Sequence, residues 1–187
     1  MRLFAALEIP SGVRANLADL LKELREISSA PRWVRPANLH VTLKFIGEVA
    51  PEKFDPIRAG LASVRCDSPV TLEFRVLGFF PNEKRPRVFW AGMVASPNLK
   101  VLSADIDSAT EKLGIPREKR PFTPHLTLAR FQPPGLLEKL RLPIQENLTR
   151  EFGSLKTRQF HLIESKLKPA GAEYTTLESL TFAGAEA

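Results

Sequence analysis

The chain is poor in the residues that most often build cross-links and metal centres. Its 187 residues include one cysteine, Cys66, so an internal disulfide is impossible and a four-cysteine zinc site is excluded. No apolar run approaches the roughly eighteen residues of a membrane span. The opening Met1-Arg2-Leu3-Phe4-Ala5-Ala6-Leu7 is interrupted by Glu8 and Pro10 before the hydrophobic region of a secretory leader develops. The expectation is therefore no membrane contact and a cytoplasmic address. There is no Walker loop, no Gly-x-Gly-x-x-Gly and no His-Glu-x-x-His, and Ser154, Ser165 and Ser179 lie in no nucleophile-elbow motif. Histidine itself is scarce, with three in the chain.

What is present is ordinary in bulk and unusual in arrangement. Apolar residues make up 43% and charged residues 26%, a globular balance rather than a disordered one. A chain of this length buries roughly 70% of the surface its unfolded form exposes, enough for one core or two small lobes sharing one. Lysine and arginine number 27 against 21 acidic residues, a formal net charge of +6 that favours encounter with anions and also serves solubility. The basic residues gather as Arg32 and Arg35, then Lys84, Arg85 and Arg87, then Arg117, Lys119 and Arg120, which points to RNA or a nucleotide as partner.

Two of the three histidines lie in near-copies of one segment. His40-Val41-Thr42-Leu43-Lys44-Phe45 is repeated as His125-Leu126-Thr127-Leu128-Ala129-Arg130-Phe131. In a strand, residues i and i+2 share a face. Each copy thus presents an imidazole beside a hydroxyl, with apolar side chains on the other face. Taken singly, such a histidine is more often a packed structural residue, and threonine suits a strand for its β-branching alone. Recurrence of the whole setting is what composition does not explain. His161, in Phe160-His161-Leu162-Ile163, lacks the threonine and is assigned to structure.

Paired imidazoles can divide the work of proton donor and proton acceptor near neutrality. Thr42 and Thr127 can donate to phosphoryl oxygens as the phosphorus becomes five-coordinate. Lys44 shares strand parity with His40 and Thr42, so it lines the same cleft or its solvated rim. Strict alternation turns Arg130 away from His125, but the extra residue in the second copy can be absorbed by a bulge that re-aims it. Neither strand has a marked third zinc ligand nearby, so a metal-free, cofactor-free site is expected. Phosphate-directed binding without turnover stays open as the alternative.

The periodicities predict strands over 2–9, 39–46, 70–80 (kinked near Gly78), 87–94 and 125–131, with helices over 11–27, 51–64 and 99–113. Ser11 is the expected N-cap of the first helix. Asn82 to Pro86 is a turn or a basic loop over the cleft. Pro133-Pro134 breaks the second motif strand, the stretch to Phe152 is helical with an interruption at Pro143, and a final hairpin crosses Pro169-Ala170-Gly171. This order predicts an α+β fold, with antiparallel sheets lining a central cleft and helices outside. Residues 1–187 would form one domain of two pseudo-symmetric lobes.

The duplicated His-x-Thr strands resemble the signature of the 2H phosphoesterase superfamily, and more narrowly its bacterial and archaeal RNA 2′,3′-cyclic phosphodiesterases, once described as 2′-5′ RNA ligases. Arg2 to Pro10 is similar to their opening strand, Trp33 to Gly47 to their first motif, Arg85 to Gly92 to their central strand and Arg120 to Arg130 to their second motif, with Glu164-Ser165-Lys166-Leu167 near the end. The resemblance implies hydrolysis of an RNA terminal 2′,3′-cyclic phosphate to a 2′-phosphate, with 2′-5′ ligation as a side or reverse activity. It implies His40 as proton donor, His125 as proton acceptor, and Thr42, Thr127 and Arg130 as phosphate-binding residues. RNA ends or nucleotides bearing the cyclic phosphate would be the partners, and the protein would act as a monomer. Trp33 and Phe122, near the two motif strands, are read as core residues, with stacking on the terminal base as the alternative.

Overall fold

Runs of alternating apolar side chains set most of the strands, and hydrophobic stripes at helical spacing set the helices that cover them. The computed structural model describes residues 1–132, 138–169 and 171–182. In chain order the elements are β1 (Arg2–Glu8), α1 (Ser11–Ile27), β2 (Arg32–Trp33), a 3₁₀ turn at Pro36–Asn38, β3 (His40–Glu48), α2 (Phe54–Ala62), β4 (Val70–Phe80) and β5 (Val88–Ala95). There follow α3 (Asn98–Glu111), β6 (Leu126–Arg130), α4 (Glu138–Glu146), β7 (Glu151–Thr157), β8 (Gln159–Lys168) and β9 (Gly171–Thr181).

Among the described residues the strands form two antiparallel sheets, one in the order β3-β1-β8-β9 and one in the order β2-β6-β5-β4-β7. Each sheet carries one His-x-Thr segment. Helices α2 and α3 pack behind the first sheet, while α1 lies against β7 and α4. Helix α1 buries Val13, Leu17, Leu20, Leu21 and Leu24, each worth roughly 1.5–3 kcal/mol of hydrophobic stabilisation. These join residues of both sheets in one apolar cluster, so the α+β architecture has a shared core rather than separate ones.

Several expectations change. Pro10, not Ser11, occupies the N-cap of α1, and no side chain caps the helix. The irregularity in β4 falls between Phe74 and Leu77, where Val76 has φ of 71°, rather than at Gly78. Gly78 has another purpose: it lies opposite Trp90, and a Cβ there would come within 2.3 Å of the indole. Pro143 sits inside α4 without ending it. The helical expectation missed β7, which begins at Glu151 and pairs with β4. The final hairpin forms, β8 against β9. The break expected at Pro133-Pro134 and the turn residue Ala170 lie outside the described residues.

Candidate active site

Both motifs carry the same distortion. Across β1, Ala6 pairs with Thr42 and Ala5 with Lys44, so Leu43 is an extra residue in β3. Across β5, Trp90 pairs with Thr127 and Phe89 with Ala129, so Leu128 is an extra residue in β6. A bulged residue falls out of the ladder and must find other partners for its backbone. The Leu43 carbonyl accepts from Ser103 Oγ at 3.1 Å, and the Leu128 carbonyl accepts from the Val34 N–H at 2.8 Å.

The bulge reverses strand parity after each threonine. Lys44, expected beside His40 and Thr42, turns instead into the protein and is 4% exposed. Its ammonium pairs with Asp107 and donates to the Pro116 carbonyl at 2.7 Å, so Lys44 neither lines the cleft nor rims it. The same distortion acts oppositely in the second copy. Arg130 pairs with Val88 in β5, on the face shared by Trp90 and Thr127. It is exposed there, and its charge reaches Tyr174 of the opposite sheet, whose phenol is pushed up by burial and drawn down by Arg130 and Arg2. Arg130 lies beyond a bulge, but the first copy, one residue shorter from His to Phe, carries the same bulge, so the longer segment is not its cause.

The two imidazoles are anchored alike. His40 Nδ1 lies 2.6 Å from the Asn38 carbonyl and His125 Nδ1 lies 2.8 Å from the Thr123 carbonyl, in each case two residues upstream. A carbonyl only accepts, so Nδ1 carries the proton and each neutral ring keeps its lone pair on Nε2. Asn38 is itself held, its side chain donating to the Ala172 carbonyl at 2.8 Å. Arg14 donates to the Pro36 carbonyl at 2.7 Å and braces the same turn. Aromatic rings fix the imidazole planes: Phe4 at 4.7 Å and Tyr174 at 5.1 Å around His40, and Phe80 edge-on at 5.0 Å beside His125.

Strands β3 and β6 approach one another across the cleft, and His125 is close enough to lower the pKa of His40 electrostatically. The larger cause is burial, which pushes His40 below 6.5 while the bond to Asn38 pulls it back up. The Thr42 and Thr127 side chains are half-buried, and among the described residues neither hydroxyl makes a hydrogen bond. Two ring nitrogens, two hydroxyls and a guanidinium thus belong to the two motif segments, whose strands contact one another. Among the described residues no group of three or more His, Cys, Asp or Glu is placed to hold a metal ion, and no helix is long and apolar enough to cross a membrane.

Other expected residues go elsewhere. The Trp33 ring stands edge-on to Phe89, packs against the core and donates from Nε1 to the Ser28 carbonyl at 2.9 Å, and Phe122 packs against the same core. Both are partly buried against the core. His161 pairs with Ala6 and Ser179, which puts it on the face of Thr42 two strands away, with Nδ1 3.0 Å from Ser179 Oγ. The basic loop after β4 is tied to α4 by Glu83 and Arg141 at 3.2 Å. Tyr174, Phe80 and Trp90 were missed because no local motif marks them; they reach the site only through the curl and register of the sheets. Arg32 was legible as charge but not as a neighbour of Arg130, which it faces directly across β2 and β6.

Comparison with known proteins identifies the family and the fold. The family model described as LigT like Phosphoesterase matches residues 7–90 and 93–174. An Archaeoglobus fulgidus protein named RNA 2′,3′-cyclic phosphodiesterase is 36% identical over 179 residues, covering 95% of this chain and 98% of its own. A Thermus thermophilus protein of the same name is 34% identical over 197 residues, covering 98% and 91%. Among solved structures, one of a Thermus thermophilus protein superposes with a TM-score of 0.81 at 32% identity over 100% of both chains. Escherichia coli LigT complexed with 3′-AMP superposes at 0.74 with 28% identity, covering 97% of this chain and 98% of that one.

Proposed function

The chain belongs to the LigT-like phosphoesterase family, and from that premise we propose that it hydrolyses the terminal 2′,3′-cyclic phosphate of RNA to a 2′-phosphomonoester. The observation that carries the reading is the matched pair of imidazoles, each with Nδ1 tied to a carbonyl and Nε2 left for chemistry on facing strands. Relatives named for this activity in Archaeoglobus fulgidus and Thermus thermophilus, and the nucleotide bound to Escherichia coli LigT, support the substrate class.

The proposed step breaks the bond from phosphorus to the 3′ oxygen and forms one to a water oxygen. His125 takes the proton from water, and His40, protonated, gives one to the departing 3′ oxygen. Thr42 and Thr127 donate to the non-bridging oxygens, and the Arg130 guanidinium offsets the charge that builds there. The cyclic ester is already tethered, so the residues need chiefly to align water opposite the 3′ bond. No metal is assigned a role, since the imidazoles handle both protons. Running the same step with an RNA 5′-hydroxyl in place of water, so that its oxygen bonds to phosphorus as the 3′ oxygen departs, gives a 2′-5′ linkage, which we assign as a side activity. The protein is proposed to act as a monomer.

The test is an oligonucleotide ending in a 2′,3′-cyclic phosphate, incubated with chelator and mapped for product. The expected product is the 2′-phosphate, with turnover falling by about two to four decades in His40→Ala and in His125→Ala. A 3′-phosphate product overturns the regiochemistry, and an absolute need for metal overturns the mechanism. Binding of the end without release of any product would instead mark a non-catalytic RNA-end module.

A further inference from the structure

Beside His125 the second sheet opens into a hollow of about 300 Å³ whose walls include Val76, Phe80, Trp90, Met93, Pro124 and His125. It is largely apolar, with Arg75 and Thr123 at its polar margin. We propose that this hollow holds the nucleobase of the nucleotide that bears the cyclic phosphate, a reading that rests on the proposed hydrolysis and extends it to how the substrate is gripped.

Four observations converge. The Trp90 indole lies flat over Gly78 and against Gly92, a broad ring face that exists because neither neighbour has a Cβ. The Phe80 ring sits 5.2 Å from Trp90 and 5.0 Å from His125, so the aromatic wall continues to the catalytic imidazole. The Trp90 Nε1–H is buried without a partner among the described residues, an uncommon cost in a folded protein. Val76 has φ of 71°, a conformation that β-branched residues rarely adopt, and it stands 51% exposed at the irregularity that shapes the hollow.

The chemistry fits a base better than other occupants. Unpaired bases are recognised by stacking on aromatic faces with a few hydrogen bonds at their edges. An apolar, aromatic wall with polar groups only at its margin matches that description and suits a phosphate poorly. His125 borders both the hollow and the space between the motifs. A base joined through one ribose to its 2′,3′-phosphate can therefore lie in the hollow while the phosphorus lies between the imidazoles.

The experiment compares kcat/KM for a nucleoside 2′,3′-cyclic phosphate with that for methyl ribofuranoside 2′,3′-cyclic phosphate, which has no base. The wild type is expected to favour the nucleoside by about tenfold or more, as base–aromatic stacking would give. Met93→Trp, which fills the hollow, is expected to collapse that ratio towards one. As a readout independent of turnover, Trp33→Phe leaves Trp90 as the lone tryptophan. Its fluorescence should respond to a nucleoside 2′-phosphate and not to ribose phosphate. A wild-type ratio near one, or a ratio unchanged in Met93→Trp, overturns the base site while hydrolysis of both compounds leaves the proposed function standing. Hydrolysis of neither compound, nor of the cyclic-ended oligonucleotide, overturns the function itself.

Discussion

His40 has to be protonated to serve as donor, yet burial pushes its pKa below 6.5, and Arg14 and His125 add to the lowering against the pull of the Asn38 carbonyl. In the free protein its charged fraction therefore declines before neutrality is reached. A bound phosphate carries the opposite charge and raises the same group. Because kcat/KM reports the free protein and kcat the complex, the optimum of kcat/KM should lie at lower pH than that of kcat. Steady-state kinetics from pH 5 to 9 checks both. A kcat/KM that rises through the low-pH limb and then stays flat to pH 9 would exclude a protonated imidazole as the donor. The same shift bears on folding: the unfolded chain binds the His40 proton more readily, so His40 lowers stability as pH falls below about 6.5.

Among the elements, β3 shows how one extra residue redistributes side chains. The bulge at Leu43 sends Lys44 into the interior, where its ammonium is held by Asp107 and the Pro116 carbonyl. Burial pushes the Asp107 carboxyl up, but Lys44, the Glu118 backbone N–H and Arg117 outweigh it and hold it below 3.8. A carboxylate lowered in this way stabilises the fold above its unfolded pKa, and that stability is lost as pH falls through the folded one. Asp107→Ala removes it and strands the Lys44 charge, so it should destabilise by about 3 kcal/mol, measured by urea unfolding at pH 7. Below about pH 4, where the carboxylate is protonated in any case, the gap between variant and wild type should narrow.

For the molecule as a whole, charge adds to the site what neither motif supplies alone. Strand β2, from the lead-in to the first motif, pairs with β6 of the second and sets Arg32 opposite Arg130. Like charges facing across a ladder repel, and among the described residues neither arginine forms an ion pair. An RNA strand entering the cleft along that edge would relieve the repulsion. Oligonucleotide affinity should therefore fall steeply with salt, and Arg32→Ala should flatten the plot of log K against log salt by about 0.7, the slope of one single-strand phosphate contact. Fluorescence anisotropy across a salt series, with the cyclic-phosphate end replaced by the product 2′-phosphate, gives both slopes.

The local sequence was enough to mark the paired histidines and threonines, because alternation within a strand is a property of the backbone. It was also enough for most helices, whose apolar stripes are short-range patterns. The place of Lys44, the turn of Arg130, the closeness of Arg32, the strand at β7 and the aromatic wall of Phe80 and Trp90 were decided only by tertiary structure. Each depends on which distant strand supplies the neighbouring hydrogen bonds. A ladder that skips one residue at Leu43 and Leu128 changes the face of the residues that directly follow it. No pattern inside either segment specifies that skip, since the partners that absorb it, Ser103 and Val34, come from elsewhere in the chain.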